Sequence, residues 1–177
     1  MHKTDELQAN ILCKSCGLCC TGHLFIWVRL KAVELDRSQA LGLNVIRSDP
    51  RQRGFTQPCP LWQGQCTIYT SPDYPRVCRT YQCRLLIEVN NGDTPLKDAL
   101  SSIEQVKGTI RELETHLPVA SNNNFRERLV AYIESTERPA RHEKTDSELR
   151  QKAESLLDFY EKVFGIKDLL DRLQEQR

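Results

Sequence analysis

The sequence predicts a mainly α protein with a small irregular and β part, and three observations predict it. Apolar residues repeat at helical spacing through the second half of the 177-residue chain. A proline- and glycine-punctuated stretch, residues 45–81, carries little periodicity of any kind. All eight cysteines lie between Cys13 and Cys83, so the 94 residues that follow have none. The expected organisation is a loop-rich cysteine-cluster module over residues 1–95, packed on a C-terminal helical bundle over residues 96–177.

The elements follow in order. Residues 4–12 read as a short helix, with Thr4 as an N-cap, acids in the first turn, and Leu7 and Ile11 four apart. Leu24 to Leu30, LFIWVRL, is β-branched and aromatic and reads as a strand. Ala32 to Leu41 predicts a helix closed by Gly42. From Val45 to Tyr81 the prolines Pro50, Pro58, Pro60, Pro72 and Pro75 predict loop, and loops of that length are uncommon unless something holds them. Arg84 to Asn91 predicts a helix stopped by Gly92, and Thr94 then caps a helix with Pro95 in its first turn. Leu96, Ile103, Ile110 and Leu117 recur every seven residues, with Ala99, Val106 and Leu113 between them, which is one apolar seam. Ser121–Asn124 breaks it. Phe125 to Thr136 predicts a further helix ended by Pro139. The last starts near Asp146 and carries Leu149, Leu156, Val163 and Leu170, with Tyr160 and Phe164 on its flank and Gly165 as a kink or division. The seams read as intramolecular core, with a protein partner or homodimer through these helices as the alternative.

Composition narrows the function. Net charge is +1, with 28% charged and 7% aromatic residues. Residues 1–95 hold 11 Lys+Arg against 8 Asp+Glu and residues 96–177 hold 14 against 16. Neither balance predicts a nucleic-acid-binding face. No apolar run approaches the ~20 residues needed to span a bilayer. The residues after Met1, HKTDELQAN, lack the apolar core of a secretory signal, so the expected compartment is the reducing cytoplasm, where paired disulfides are uncommon. Arg47, Arg51, Arg53, Arg76, Arg79 and Arg84 lie near the second cysteine set and are expected to offset thiolate charge, to be solvated, or to meet an anionic partner.

Cysteines at this density are oxidised, metallated or catalytic. Cys13, Cys16, Cys19 and Cys20 form a C-x2-C-x2-C-C run; Cys59, Cys66, Cys78 and Cys83 are spread more widely. C-x2-C lets two thiolates reach one ion from a tight turn. C-x2-C-x2-C also matches the first three ligands of bacterial iron–sulfur clusters. If extended, Cys19 and Cys20 point to opposite faces and serve one ion poorly together, unless the chain turns there. His23 is an additional nitrogen donor in sequence, although a histidine opening a strand is commonly structural. Thiol–disulfide exchange needs a βαβ frame that is not evident here. Hydrolase, zinc-protease and phosphate-loop motifs are absent from the sequence.

The run Cys13-x-x-Cys16-Gly17-x-Cys19-Cys20, then Cys59-Pro60-Leu61, Cys66-Thr67-Ile68-Tyr69 and Pro75-x-x-Cys78-Arg79-x-Tyr81-x-Cys83, resembles the YkgJ-type cysteine-cluster family of zinc- or iron-chelating domains. The similarity spans roughly residues 10–95. It departs at Ser71-Pro72-Asp73-Tyr74-Pro75, where an acidic-Arg-Pro turn is common. The resemblance implies that all eight cysteines serve metal chemistry. Some related proteins carry the module beside a flagellin lysine methylase function, but this chain shows no methyl-donor motif and that activity is not carried over. The expected function is therefore binding of an iron–sulfur cluster or zinc by cysteine thiolates, in electron transfer, metal sensing or an accessory role. The C-x2-C-x2-C run favours iron–sulfur. A zinc-stabilised interaction module and a thiol–disulfide redox protein are the alternatives.

Overall fold

The computed structural model describes residues 3–117, 124–134 and 143–166. The protein is mainly α with a small β part, and its chain divides into two units, residues 1–82 and 83–177.

Unit 1 opens with helix α1, Lys3–Cys16, which runs four residues beyond the predicted end at residue 12. Strand β1 covers Trp27–Arg29, a 3-10 turn Ala32–Glu34 leads into α2 at Leu35–Ala40, and β2 is Val45–Ile46. Strand β3, Gly54–Thr56, lies between the other two, antiparallel to both; Phe55 sits opposite Val28 and Val45. Helix α3 spans Arg76–Thr80. Two expectations change. The strand predicted over Leu24–Leu30 shrinks to three residues, because its partner β3 is only three residues long. The stretch 45–81 contains two strands and a helix; each is too short to show a period in sequence. Leu30, Leu35, Leu43 and Phe55 form the core beneath this sheet, and Cys59, Leu61, Val77 and Cys78 pack against it.

Unit 2 contains α4 (Arg84–Asn91), α5 (Leu96–His116), α6 (Phe125–Glu134) and α7 (Glu143–Phe164). The division at residue 82 differs from the boundary expected at 95, because α4 belongs to the bundle. It buries Leu85, Leu86 and Val89 and packs with α5 and α7. Helix α5 begins at Leu96 with Pro95 as its cap residue, one position later than predicted. Thr94 is engaged elsewhere: its N–H closes α4 on Glu88 O at 3.3 Å, and its hydroxyl donates to Glu88 Oε2 at 3.2 Å.

The α5 seam is the unit's own core: Ala99, Ile103, Val106, Ile110, Leu113 and Leu117 are buried, and α5 packs on α7. The exposed large hydrophobics described, Ile11, Val33, Tyr81 and Ile87, lie off α5. On α7 the buried stripe is Ala153, Leu156, Leu157, Tyr160 and Phe164, while Leu149 and Val163 are only half-buried. A straight helix repeats every 3.6 residues, so a strict seven-residue spacing drifts off the face and Tyr160 takes the centre. Gly165, at φ +72°, ends α7 rather than kinking it; Gly165 N–H donates to Glu161 O and Ile166 N–H to Tyr160 O. Asn124 caps α6: Asn124 Oδ1 accepts Glu127 N–H at 3.0 Å and Glu127 Oε2 accepts Asn124 N–H at 3.3 Å. The predicted break at Ser121–Asn123, the helix end at Thr136–Pro139, Leu170, and the side chains of Thr4, Leu7 and Asp146 lie outside the described residues.

Candidate metal centre

Seven of the eight cysteines belong to unit 1, and none of the eight is joined in a disulfide. Cys13 and Cys16 sit on the last turn of α1, three apart and therefore neighbours on the helix surface; Cys13 is exposed. The chain then turns through residues 18–22, closed by Thr21 N–H to Gly17 O at 2.9 Å and Leu24 N–H to Leu18 O at 3.2 Å. Cys19 and Cys20 lie in this turn, so the extended-chain argument that sends them to opposite faces does not apply. His23 Nδ1 lies 2.6 Å from the Thr21 hydroxyl, which gives the imidazole a local structural partner.

One backbone hydrogen bond and one close approach fasten the turn to the second cysteine segment, which is itself folded by two further backbone pairings. Cys59 N–H donates to Cys20 O at 2.7 Å. Trp62 N–H donates to Cys59 O at 3.1 Å, and Trp62 pairs with Cys66 across an isolated antiparallel bridge. The Trp62 indole then lies over Gly17, where a Cβ would come within 2.1 Å of Cζ2. Gly17 also has φ +68°, so both its conformation and the space above it exclude a side chain. Nothing in the cysteine spacing announced Trp62; its position in the loop between Cys59 and Cys66 was the only signal.

The third segment arrives on α3. Cys78 O accepts from the Tyr74 hydroxyl at 3.4 Å, Arg79 stacks over the Tyr74 ring at 5.5 Å, and Tyr74 packs against Tyr69 at 5.4 Å. Lys14 of α1 covers the other side of this pair, 4.9 Å from the Tyr69 centroid, and the Tyr69 hydroxyl bonds Asn10 Oδ1. A row of cation, ring, ring and cation thus joins α1 to the Cys78 segment.

Electrostatics place five thiols in one neighbourhood. Burial pushes the Cys20 thiol well above its ordinary range, and Cys59, Cys66, Cys78 and Cys16 raise it further. Burial and then Cys59, Cys66 and Glu34 push Cys78 up to about 12 from an ordinary 9.0. Cys59 is raised by burial, partly countered by the Leu61 N–H. The Tyr74 phenol is raised by burial and then by Cys78, Cys66 and Cys20. Cys83 stands in unit 2 as the residue before α4; burial raises its thiol, while N–H groups including those of Leu86 and Leu85 act the other way.

Three of the six arginines near the second cysteine set have partners other than a thiol. Arg47 pairs with Asp36 at 2.7 Å, Arg51 with Asp49 at 3.4 Å, and Arg84 donates to Lys162 O at 3.0 Å.

The donor chemistry fits a soft or borderline metal, since thiolates select zinc and iron–sulfur centres. Among the described residues, however, no three Cys, His, Asp or Glu side chains converge tightly enough to hold an ion as they stand. The scaffold brings Cys16, Cys20, Cys59, Cys66 and Cys78 within electrostatic reach of Cys20 or of one another. Closure onto one point requires the sulfurs to turn inward.

One consequence concerns pH. In protein stripped of metal, unfolded thiols ionise near 9.0, whereas the folded Cys20 and Cys78 keep their protons to higher pH. The folded state then binds more protons, so their contribution is complete below about pH 9 and is lost as pH rises toward 12. We expect the unfolding free energy from urea titration, and with it the midpoint, to be flat below about pH 8 and to fall above about pH 9, the free energy by up to ~1.4 kcal/mol per pH unit for each such thiol. A midpoint that rises across that window contradicts the assignment.

No protein-family model matches the chain, and comparison with curated proteins and with solved structures found no match. No described helix is long and apolar enough to cross a membrane.

Proposed function

We propose that this chain is a thiolate metal-binding protein, similar in kind to the YkgJ-type cysteine-cluster proteins, that holds an iron–sulfur cluster or zinc in unit 1. One observation carries the reading. Cysteines from three separate segments, on α1 and its following turn, on the Cys59–Cys66 loop and on α3, share one electrostatic neighbourhood around Cys20. Their scaffold is built for that meeting, through the Cys20–Cys59 bond and the Trp62 seat on Gly17. Half-buried neutral thiols are the resting form from which a metal displaces protons, so affinity rises with pH.

Cys16, Cys20, Cys59, Cys66 and Cys78 are the ligand set favoured by position, with Cys13 and Cys19 beside them in sequence. Cys83 is carried as a ligand by the sequence motif alone. Iron–sulfur leads zinc because of the C-x2-C-x2-C run; a cluster supplies electron transfer or sensing, whereas zinc supplies folding free energy of order ~10 kcal/mol. A reducing cytoplasm suits eight cysteines held outside disulfides. A zinc-stabilised interaction module is the second reading, favoured by the small apolar core of unit 1, which a structural ion would supplement.

Metal analysis of anaerobically purified protein tests this. A coloured preparation with iron and acid-labile sulfide in near-equal amounts supports the cluster. A colourless one holding zinc supports the structural ion. Neither metal above background refutes both.

A further inference from the structure

Glu34 is a buried carboxylate, 6% exposed, and one of two buried polar side chains among the described residues; the other is Ser38. It belongs to no cysteine motif and lies in the helix predicted over Ala32 to Leu41. Its two oxygens serve two separate backbone segments. Oε2 accepts Lys31 N–H at 3.1 Å, at the start of its own 3-10 turn. Oε1 accepts Arg76 N–H at 3.0 Å, 42 residues away.

Arg76 is the first residue of α3, and Cys78 lies at the middle of that five-residue helix. A helix this short has too few internal hydrogen bonds to hold itself, so its place depends on outside contacts. Val77 and Cys78 pack on the Leu30–Leu35–Leu43–Phe55 core, and Leu35 follows Glu34 directly in sequence. A carboxylate at the α3 N-terminus also meets the unpaired N–H groups and positive end of the helix. Glu34 therefore links the α2 end of the core to the segment that brings the third group of thiols.

We propose that Glu34 is the positioning residue for Cys78: by clamping the N-terminus of α3 to the Lys31–Glu34 turn, it holds that sulfur at the thiol neighbourhood of unit 1. The proposal rests on the metal-binding reading for its functional meaning, but the placement of Cys78 is testable without any metal. Glu34 supplies two acceptors at once. The substitution Glu34→Gln retains one carbonyl oxygen for Arg76 N–H without the charge, whereas Glu34→Ala retains no side-chain acceptor.

The test uses the full chain in two measurements. In anaerobic, metal-stripped protein, iodoacetamide alkylation of Cys78 is followed by peptide mass spectrometry. Glu34→Ala is expected to accelerate it roughly tenfold, the effect of losing a charged hydrogen bond on local opening, with helix content unchanged. Glu34→Gln is expected to accelerate it by clearly less than Glu34→Ala, because it loses only the charge that helps hold the Cys78 thiol protonated and keeps an acceptor for Arg76 N–H. An unchanged rate in Glu34→Ala overturns the proposal. So does a Glu34→Gln rate equal to that of Glu34→Ala, because charge rather than placement then governs the thiol. If Glu34→Ala does not fold, Glu34→Asp, which keeps the charge but shortens the reach to Arg76 N–H, replaces it: faster alkylation of Cys78 supports the clamp, and an unchanged rate overturns it.

In the second measurement, cobalt(II) is titrated and the sulfur-to-cobalt charge-transfer band is read. Glu34→Ala is expected to weaken binding about tenfold, as Cys78→Ser does, and Glu34→Ala/Cys78→Ser to be no weaker than Cys78→Ser alone. Fully additive losses overturn the proposal. A wild-type protein that gives no charge-transfer band sinks the metal reading, while faster alkylation in Glu34→Ala still upholds the placement of Cys78.

Discussion

Gly17→Ala is expected to destabilise unit 1 by about 2–5 kcal/mol, among the largest effects of any one-methyl change in the chain. Two independent costs combine. An alanine at φ +68° costs roughly 1–2 kcal/mol of backbone strain. Its Cβ would also stand 2.1 Å from Trp62 Cζ2 and 2.5 Å from Cη2, so the indole must swing away. Displacing Trp62 loosens the Cys59–Cys66 loop, because its N–H bonds Cys59 O and its backbone pairs with Cys66. Urea denaturation followed by tryptophan fluorescence checks this well, since both tryptophans, Trp27 and Trp62, lie in unit 1. A double-mutant cycle separates the two costs. In a Trp62→Ala background the steric part disappears, and Gly17→Ala should cost only about 1–2 kcal/mol. Equal costs in both backgrounds would show that the ring contact contributes nothing.

Phe55→Ala is expected to cost about 3–5 kcal/mol and to unfold unit 1 in metal-stripped protein. Phe55 is 1% exposed at the centre of the three-stranded sheet, between Val28 and Val45, and it anchors the cluster on which Cys59 and Cys78 rest. A unit of 82 residues buries a smaller share of its surface than a large domain does, so a cavity at its sheet is hard to offset. Metal binding only to the folded state restores stability by mass action, about 4 kcal/mol at a thousandfold excess over Kd. Phe55→Ala should therefore regain a native tryptophan signal when zinc, or iron with sulfide, is supplied anaerobically. The far-UV helix signal should lose the share of α1–α3 and keep the larger share of α4–α7, which carry their own core. Persistent disorder of the tryptophans at saturating metal would separate core formation from ligand binding.

The bundle was legible in the sequence because its physics is periodic. Ala99 to Leu117 spell one buried face, with Leu96 half-buried at its start, and α5 packs on α7. Where the reading erred, as with Thr94 and Tyr160, the error was a register shift of one position or a drift of the heptad. Unit 1 was much less legible. Its strands are two or three residues long, and Phe55 becomes a strand residue only by pairing with Val28 and Val45. The cysteines identified which residues matter, but their grouping depends on contacts without a spacing signature. Gly17 needs Trp62 above it, and Glu34 meets Arg76 across 42 residues. The turn at residues 18–22 also removed the doubt that adjacent Cys19 and Cys20 had raised, because alternation belongs to extended chain only.

If unit 1 is a metal centre, its thiolates form the inner shell of the ion or cluster. X-ray absorption at the metal edge of the anaerobically purified protein reads that shell. Sulfur should dominate it, at about 2.3 Å for either zinc or iron, and sulfur scatterers should be lost when Cys20 is replaced by serine. A shell of nitrogen and oxygen alone, unchanged by Cys20→Ser, would contradict the thiolate centre.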